Sequence, residues 1–318
     1  MLVKLLEPLN ISRKQVEKRS KAITDLGHEF VYYDEKTTDP DELVERSKDA
    51  DIVMIANTPY PVEAIDQNEK LKLINVAFTG VDHVEISSAK NQDILISNAA
   101  GYADQAVAEL AMGLVLDLYR GITYGNQAIR QVDFSGPLQG KEIKGKIVGI
   151  VGTGKIGLMT AKLFKAFGAH LIGNSPHEKS EAKELEMEYV ELDDLMKRSD
   201  IISLHVPLQP STRGMISAEK LALMKEDAIL INTARGPIVD NDALAEALNQ
   251  GKIVGAGIDV FDMEPPIPAD YKLLHAKNTI LTPHVAFLTD EAMERRAKIA
   301  FDNTVAFLEG DPTNIIKR

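Results

Sequence analysis

Short apolar runs alternate with polar stretches of helical spacing along almost the whole chain. In the first hundred residues the runs at 2–6, 30–33, 52–55, 73–77 and 94–96 read as strands. Between them, 12–26 and 41–48 carry helical spacing, the second opened by Pro40 and Asp41. Strands alternating with helices predict a parallel sheet with helices on its faces. A longer helical pattern runs from 103 to 121, with Val107, Leu110, Leu114 and Leu118 on one stripe. The next segment, 121–145, is rich in Gly and polar residues and shows no clear period. It reads as a connecting arm that packs on a second subunit.

Alternation resumes at Lys146 and is stronger. Strands are predicted at 147–151, 170–172, 201–205, 229–232, 255–259 and 279–281, and helices at 155–167, 192–198, 218–224 and 242–249. A last long helix spans 290–308, with Thr289 as its cap. The pattern predicts two similar α/β halves, the second closing back on the first.

Composition narrows the function classes. A chain of 318 residues is long enough for two domains with separate cores. The formal charge of −12, without a long run of one sign, argues against nucleic acid or anionic membrane as partner. The absence of cysteine removes disulfides, thiolate metal sites and cysteine nucleophiles. The N-terminus is too charged for a secretory signal, and no run approaches the roughly 20 apolar residues that span a bilayer. The expectation is a soluble, cytoplasmic protein.

Ile147-Val-Gly-Ile-Val151 runs into Gly152-Thr-Gly-Lys-Ile-Gly157 and then a helix. This is G-x-G-x-x-G after a strand and before a helix, the context in which the pattern binds a dinucleotide. Gly152 permits the tight turn, Gly154 lets backbone approach a pyrophosphate, and Gly157 permits close helix–strand packing. The helix N-terminus adds free N–H groups and a favourable dipole. After the second strand, where an Asp or Glu usually meets the ribose hydroxyls, stands Gly173-Asn-Ser-Pro-His177. Ser175, with His177 or Lys179, suits a 2′-phosphate, but no Arg is present to clamp it. NAD and NADP both remain open.

Three polar residues follow predicted strands of the second half: Arg235, Glu264 and His284. In doubly wound sheets ligands bind at the carboxyl edge, where such residues emerge. Together they supply what hydride transfer to a 2-oxo acid demands. A guanidinium matches a substrate carboxylate in two-point fashion. An imidazole donates a proton to the carbonyl oxygen as it becomes an alkoxide, and serves as base in reverse. A carboxylate beside that imidazole favours its charged form. No metal is required.

These stretches closely resemble the D-isomer-specific 2-hydroxyacid dehydrogenases, in that family's order and spacing. The resemblance rests on residues 152–157, on Ser203-Leu-His-Val-Pro-Leu208 with Thr212, on 224–239 with its Asn-Thr-Ala-Arg-Gly core, on 257–265, and on Thr282-Pro-His284. It covers essentially the whole chain and is weaker before Val76. It implies two Rossmann-like α/β domains with parallel sheets: a nucleotide-binding domain, 100–286, inserted into a flavodoxin-like substrate domain, 1–99 plus 287–318. By resemblance Arg235 binds substrate, Glu264 partners the histidine and His284 is the acid/base. Lys155, Ile156, Val206, Pro207, Thr212, Thr233 and Ala234 match cofactor-lining positions, and Asp259 the acid near the nicotinamide carboxamide. Ala77-Phe-Thr-Gly-Val-Asp-His83 is similar to the family loop that holds the substrate carboxylate, a role that falls to Thr79 and Gly80, with Phe78 at the pocket. The family generally forms homodimers through the nucleotide domain.

The stretch after His284, Val285-Ala-Phe-Leu-Thr289, is bulkier than the family's usual small residues. Phe287 either narrows the pocket or fills a seam. Two rival readings are weighed against the enzyme. Similar proteins act as corepressors that bind dinucleotide without turnover, but they usually carry extended tails. Formate dehydrogenase-like proteins place Gln where Glu264 stands, because their reaction moves no proton. Glu264 therefore argues for a proton-transferring enzyme, with NAD or NADP as cofactor and a small 2-oxo or 2-hydroxy acid as substrate. Which acid is left open.

Overall fold

The computed structural model describes residues 1–132, 136, 139–263 and 266–316. The chain divides into two compact units, Met1–Ala103 with Leu288–Arg318, and Asp104–Phe287. Glu264 lies outside the described residues.

In the first unit the strands are β1 (Leu2–Leu5), β2 (Glu29–Tyr32), β3 (Ile52–Ile55), β4 (Leu73–Val76) and β5 (Leu95–Asn98). They pair in parallel in the order β2-β1-β3-β4-β5, which is the flavodoxin-like order. Every residue of β3 and β4 is buried, so these interior strands are near-continuous apolar runs. The edge strand β2 instead exposes Glu29 and Val31. Helices α1 (Arg13–Thr24), α2 (Pro40–Ser47), α3 (Val62–Asp66) and α4 (Ile86–Asn91) connect the strands. Helix α1 starts with a capping box between Ser12 and Gln15, and α2 with the Asp39 cap and Pro40 in its first turn.

The C-terminal helix, Asp290–Leu308, returns to this unit, its first turn capped by Thr289 as expected from sequence. Its Ala297, Ala300 and Phe301 join the core of Val3, Leu5, Ile52, Met54 and Leu73. Several polar side chains fasten it, and one of them stands on an interior strand of the sheet. Asn75, fully buried in β4, donates to Ala300 O at 2.6 Å and to Thr304 Oγ1 at 2.8 Å, and accepts from Ser97 Oγ at 3.1 Å.

In the second unit helices α5 (Asp104–Arg120) and α6 (Ile122–Arg130) precede seven strands. These are β6 (Ile147–Val151), β7 (His170–Asn174), β8 (Glu188–Tyr189), β9 (Ile201–Leu204), β10 (Ile229–Asn232), β11 (Gly255–Ile258) and β12 (Thr279–Leu281). They form one parallel sheet in the order β12-β11-β10-β9-β6-β7-β8. Helices α7 (Lys155–Ala166), α8 (Ser180–Glu184), α9 (Leu192–Arg198), α10 (Ala218–Leu221) and α11 (Asn241–Asn249) cross between the strands. Apolar cores lie on both faces. Helix α5 packs directly on β11: a Cβ at Gly257 would stand 2.9 Å from Leu114 Cβ.

The parallel α/β architecture is as the sequence predicts. The segment 121–145 is not purely a loop, because it contains α6. Its missing period has a physical reason: Ala128 is the buried residue of α6, while Ile122 and Ile129 face outward. Residues 133–135 and 137–138 of that segment lie outside the described residues. The short elements α3, α4, α8 and β8 were not expected, since two to six residues are too few to show a period. Strand ends differ by a residue or two, with Leu6, Ala77, His205 and Asp259 just past their strands.

Replacing Asn75 by Leu removes three buried hydrogen bonds and leaves the Ser97 hydroxyl without its Asn75 partner. Asn75→Leu is expected to cost about 1–3 kcal/mol of unfolding free energy, read from urea denaturation. An unchanged midpoint would remove Asn75 as a fastening of the C-terminal helix.

Candidate active site

The carboxyl ends of β6, β9, β10, β11 and β12 lie along one edge of the second unit's sheet, and most predicted site residues stand there. Strand β6 pairs with β7 on one side and β9 on the other. The crossovers therefore leave in opposite directions, which opens a crevice at that edge.

The three glycines after β6 meet different constraints. Gly152 has φ +95° and its N–H donates to Asn174 O at 2.8 Å. A Cβ there would also lie 2.7 Å from the His205 carbonyl. Gly157, in the first turn of α7, lies so close to Gly152 O that a Cβ would stand 2.0 Å from it. Gly154 has a negative φ of −72°, and a Cβ there would meet nothing within 4 Å. Among the described residues no atom requires glycine at 154. The open space over it, beside exposed Lys155, half-buried Ile156 and the N-terminus of α7, suits a pyrophosphate.

Beyond β9, Val206 and exposed Pro207 enter a loop closed by Thr212. The Thr212 hydroxyl donates to Pro207 O at 2.6 Å and accepts from Gln209 N–H at 3.0 Å, so it shapes the loop. Beyond β10, buried Asn232 holds the turn that presents the arginine. Its amide donates to Arg235 O at 2.9 Å, and its carbonyl oxygen accepts from Ala234 N–H at 3.0 Å. Gly236 follows because a Cβ there would stand 1.8 Å from Phe261 O. The half-buried Arg235 donates from one η nitrogen to Ala234 O at 2.8 Å. Thr233 is buried and its hydroxyl has no hydrogen-bond partner among the described residues. A buried hydroxyl without a partner calls for a ligand or a water. With the open space at Gly154, this supports the fit of a dinucleotide along the edge.

Asp259, just past β11, is completely buried. Its Oδ1 accepts from Thr282 Oγ1 at 2.6 Å and Val285 N–H at 2.9 Å, and its Oδ2 from Ala286 N–H at 2.9 Å. Its carbonyl accepts from His284 N–H at 2.8 Å. Burial pushes the carboxyl above the ordinary carboxylate pKa; the Thr282 hydroxyl, the two backbone N–H groups and His284 pull it back. His284 itself adopts φ +55°, a region unusual for a residue with a side chain. The ring of Phe287 meets the His284 ring edge-on at 5.4 Å. Phe287 thus packs on the imidazole.

Ser175 follows β7, half-buried, ahead of exposed His177 and Lys179. His205, not anticipated as a site residue, bonds to Ser203 Oγ at 2.8 Å, and burial pushes its pKa down to about 3. It is therefore a neutral packing element beside Gly152.

Thr79 and Gly80 belong to the first unit, in the loop past β4 at the carboxyl edge of that sheet. Asn98 donates to Thr79 O at 2.7 Å and Ala99 N–H to Phe78 O at 3.0 Å, which fixes the loop against the end of β5. Phe78 packs on Tyr102 with ring centroids 6.0 Å apart. Asn98, Asn232 and the Asp259 turn are supports that sequence reading missed. Their signal, a polar residue ending an apolar strand, is too common to single out. Among the described residues no cluster of His, Asp and Glu is arranged to hold a metal ion.

The two loop glycines separate packing from ligand contact. Gly154→Ala is expected to leave unfolding free energy within about 0.5 kcal/mol of the unaltered protein while weakening dinucleotide binding at least about tenfold by protein-fluorescence titration. Gly157→Ala is expected to lower stability as well. Unimpaired binding in Gly154→Ala would remove the pyrophosphate from that loop.

Comparison with known proteins agrees with this geometry. Residues 112–286 match the family described as D-isomer specific 2-hydroxyacid dehydrogenase, NAD binding domain. The chain is 34% identical over 307 residues to a hydroxypyruvate reductase of Blautia hydrogenotrophica, covering 94% of each protein. A D-lactate dehydrogenase from Aquifex aeolicus, solved with NAD and lactic acid, superposes with a TM-score of 0.85 at 30% identity, covering 98% of this chain and 96% of that one. An acyclic imino acid reductase solved with NADPH and D-Arg gives a TM-score of 0.88 at 30% identity, covering 100% of both. The chain belongs to the D-isomer specific 2-hydroxyacid dehydrogenase family.

Proposed function

We propose that the chain reduces a small 2-oxo acid to the D-2-hydroxy acid with NADH or NADPH, and that Arg235, Glu264 and His284 carry the reaction. The observation that weighs most is the single sheet edge on which the glycine loop, the Arg235 turn and the His284 turn all emerge. When bound, the nicotinamide supplies the hydride. Gly152, Gly154, Lys155, Ile156 and Gly157 would hold the pyrophosphate, with Ser175 at the adenosine ribose. Val206, Pro207, Thr212, Thr233, Ala234 and Asp259 would line the remainder.

The guanidinium of Arg235 holds the substrate carboxylate by charge and by paired N–H donors. In the first unit, Thr79 and Gly80 are the residues whose backbone N–H groups the family resemblance assigns to carboxylate binding. His284 gives a proton to the carbonyl oxygen as negative charge develops there, and takes it back in the oxidation. Glu264 is, by the family resemblance, the partner of His284. The carboxylate of Asp259 holds the turn on which the imidazole is mounted. A substrate able to use this set is small, anionic and carries a carbonyl next to its carboxylate.

The proposal extends to a homodimer in the cytoplasm. Helix α6 supports the first part: Ile122 and Ile129 are 57% and 56% exposed and share a face with Gly125, and Val132 beyond it is 78% exposed. Such a contiguous apolar face fits a contact with a second copy. The cysteine-free composition and the absence, among the described residues, of a helix long and apolar enough to cross a membrane support the second part.

Loss of nicotinamide absorbance, with NADH and NADPH run separately against hydroxypyruvate, glyoxylate and pyruvate, tests the activity. Turnover with at least one acid is expected. Dinucleotide binding with no turnover of any 2-oxo acid would favour a binding-only role. His284→Ala is expected to lower kcat roughly 10²- to 10⁴-fold with dinucleotide affinity nearly unchanged, and near-normal turnover would remove His284 from the chemistry. Ile122→Lys combined with Ile129→Lys is expected to yield a monomer by light scattering, where a persistent dimer would place the contact elsewhere.

A further inference from the structure

Strand β8 is only two residues long, pairing Glu188 with Ile172 and Tyr189 with Gly173 of β7. The half-buried side chain of Tyr189 has more partners than so short an edge strand needs. Its hydroxyl donates to Thr153 Oγ1 at 2.9 Å and accepts from Lys179 N–H at 3.0 Å. One oxygen therefore joins two loops that are far apart in sequence.

Both loops belong to the dinucleotide site as read above. Thr153 is the residue between Gly152 and Gly154, and it is completely buried. Its methyl group is seated against β7, where a Cβ at Gly173 would stand 3.2 Å from Thr153 Cγ2. Lys179 closes the turn that leaves β7, in which half-buried Ser175 is followed by the exposed residues Pro176, His177, Glu178 and Lys179. The Tyr189 hydroxyl is thus the bridge between the segment facing the pyrophosphate and the segment facing the adenosine ribose.

We propose that Tyr189 is a positioning residue for the dinucleotide, and that by fixing the turn 175–179 it sets the discrimination between a ribose 2′-hydroxyl and a 2′-phosphate. The proposal rests on the reading of residues 152–157 as the dinucleotide loop. The physical reason is preorganisation: a turn already held in place need not be ordered by the ligand, and that ordering weakens binding. A 2′-phosphate draws more charged and hydrogen-bonded contacts from the turn than a hydroxyl does. Releasing the turn therefore weakens the phosphorylated cofactor more.

The test is the dissociation constant of NADH and of NADPH, each titrated by fluorescence into the unaltered protein, Tyr189→Phe, Thr153→Val and the double variant. Tyr189→Phe keeps the ring and removes only the bridging hydroxyl. Its NADPH constant is expected to rise about three- to tenfold, its NADH constant less than about twofold, so that the ratio of the two shifts. Thr153→Val should move the ratio the same way, and the double variant should be little worse than Tyr189→Phe alone, because both remove one bridge. A tyrosine that merely packs would change both constants alike, and an unchanged ratio in Tyr189→Phe overturns the proposal. Should the unaltered protein bind neither nucleotide, the reading of the glycine loop falls, and the role of Tyr189 with it.

Discussion

The buried carboxylate of Asp259 is the interaction on which the second unit's site depends. Strand β12 is the edge of its sheet, so the segment that follows it has a neighbouring strand on one side only. Asp259, emerging from the adjacent β11, replaces the missing ladder with three side-chain acceptor bonds to residues 282, 285 and 286. A left-handed residue with a side chain costs about 1–3 kcal/mol, and hydrogen bonds to a charged acceptor are worth about 1.5–3 kcal/mol each. The three bonds, partly offset by the cost of burying the carboxylate, oppose the strain at His284 and hold its turn in place.

The same logic runs along the whole edge. Strands of the second unit's sheet deliver side chains or backbone groups to its carboxyl edge, and polar neighbours fix them there. Asn232 fixes the Arg235 turn, Thr212 the loop after Pro207, and Asn174 O the N–H of Gly152. In the first unit Asn98 does this for Thr79. These supports are backbone-directed. The turns that carry Arg235 and His284 are therefore held through backbone groups.

Belonging to the family specifies the hydride-transfer chemistry and leaves the acid substrate to the details of the pocket. Phe287 is one such detail, since its ring lies edge-on to His284 and takes space that small residues would leave open. The end of β7 is another. No carboxylate directly follows the strand, and the turn offers Ser175, His177 and Lys179 beside Glu178, with no arginine to clamp a 2′-phosphate.

The architecture and the dinucleotide loop were legible in the amino-acid order. Buried parallel strands are near-continuous apolar runs, as in 52–55 and 201–204, and a glycine triplet between strand and helix has few other uses. Arg235 and His284 stand at the carboxyl edge because each follows a strand of the sheet. What stayed hidden depends on neighbours far along the chain. The outward-facing Ile122 and Ile129 erased the period of α6, and two residues of β8 are too few to show one. The anchoring by Asp259, Asn75 and Asn232 was not visible either, because a buried polar residue and an exposed one are the same letter. By itself the sequence determined the alternation of strands and helices and which residues follow each strand, since local periodicity and turn chemistry decide both. Only the tertiary structure decided which of those residues are held by others and which are left facing outward, because burial and hydrogen-bond partners are properties of the packed chain.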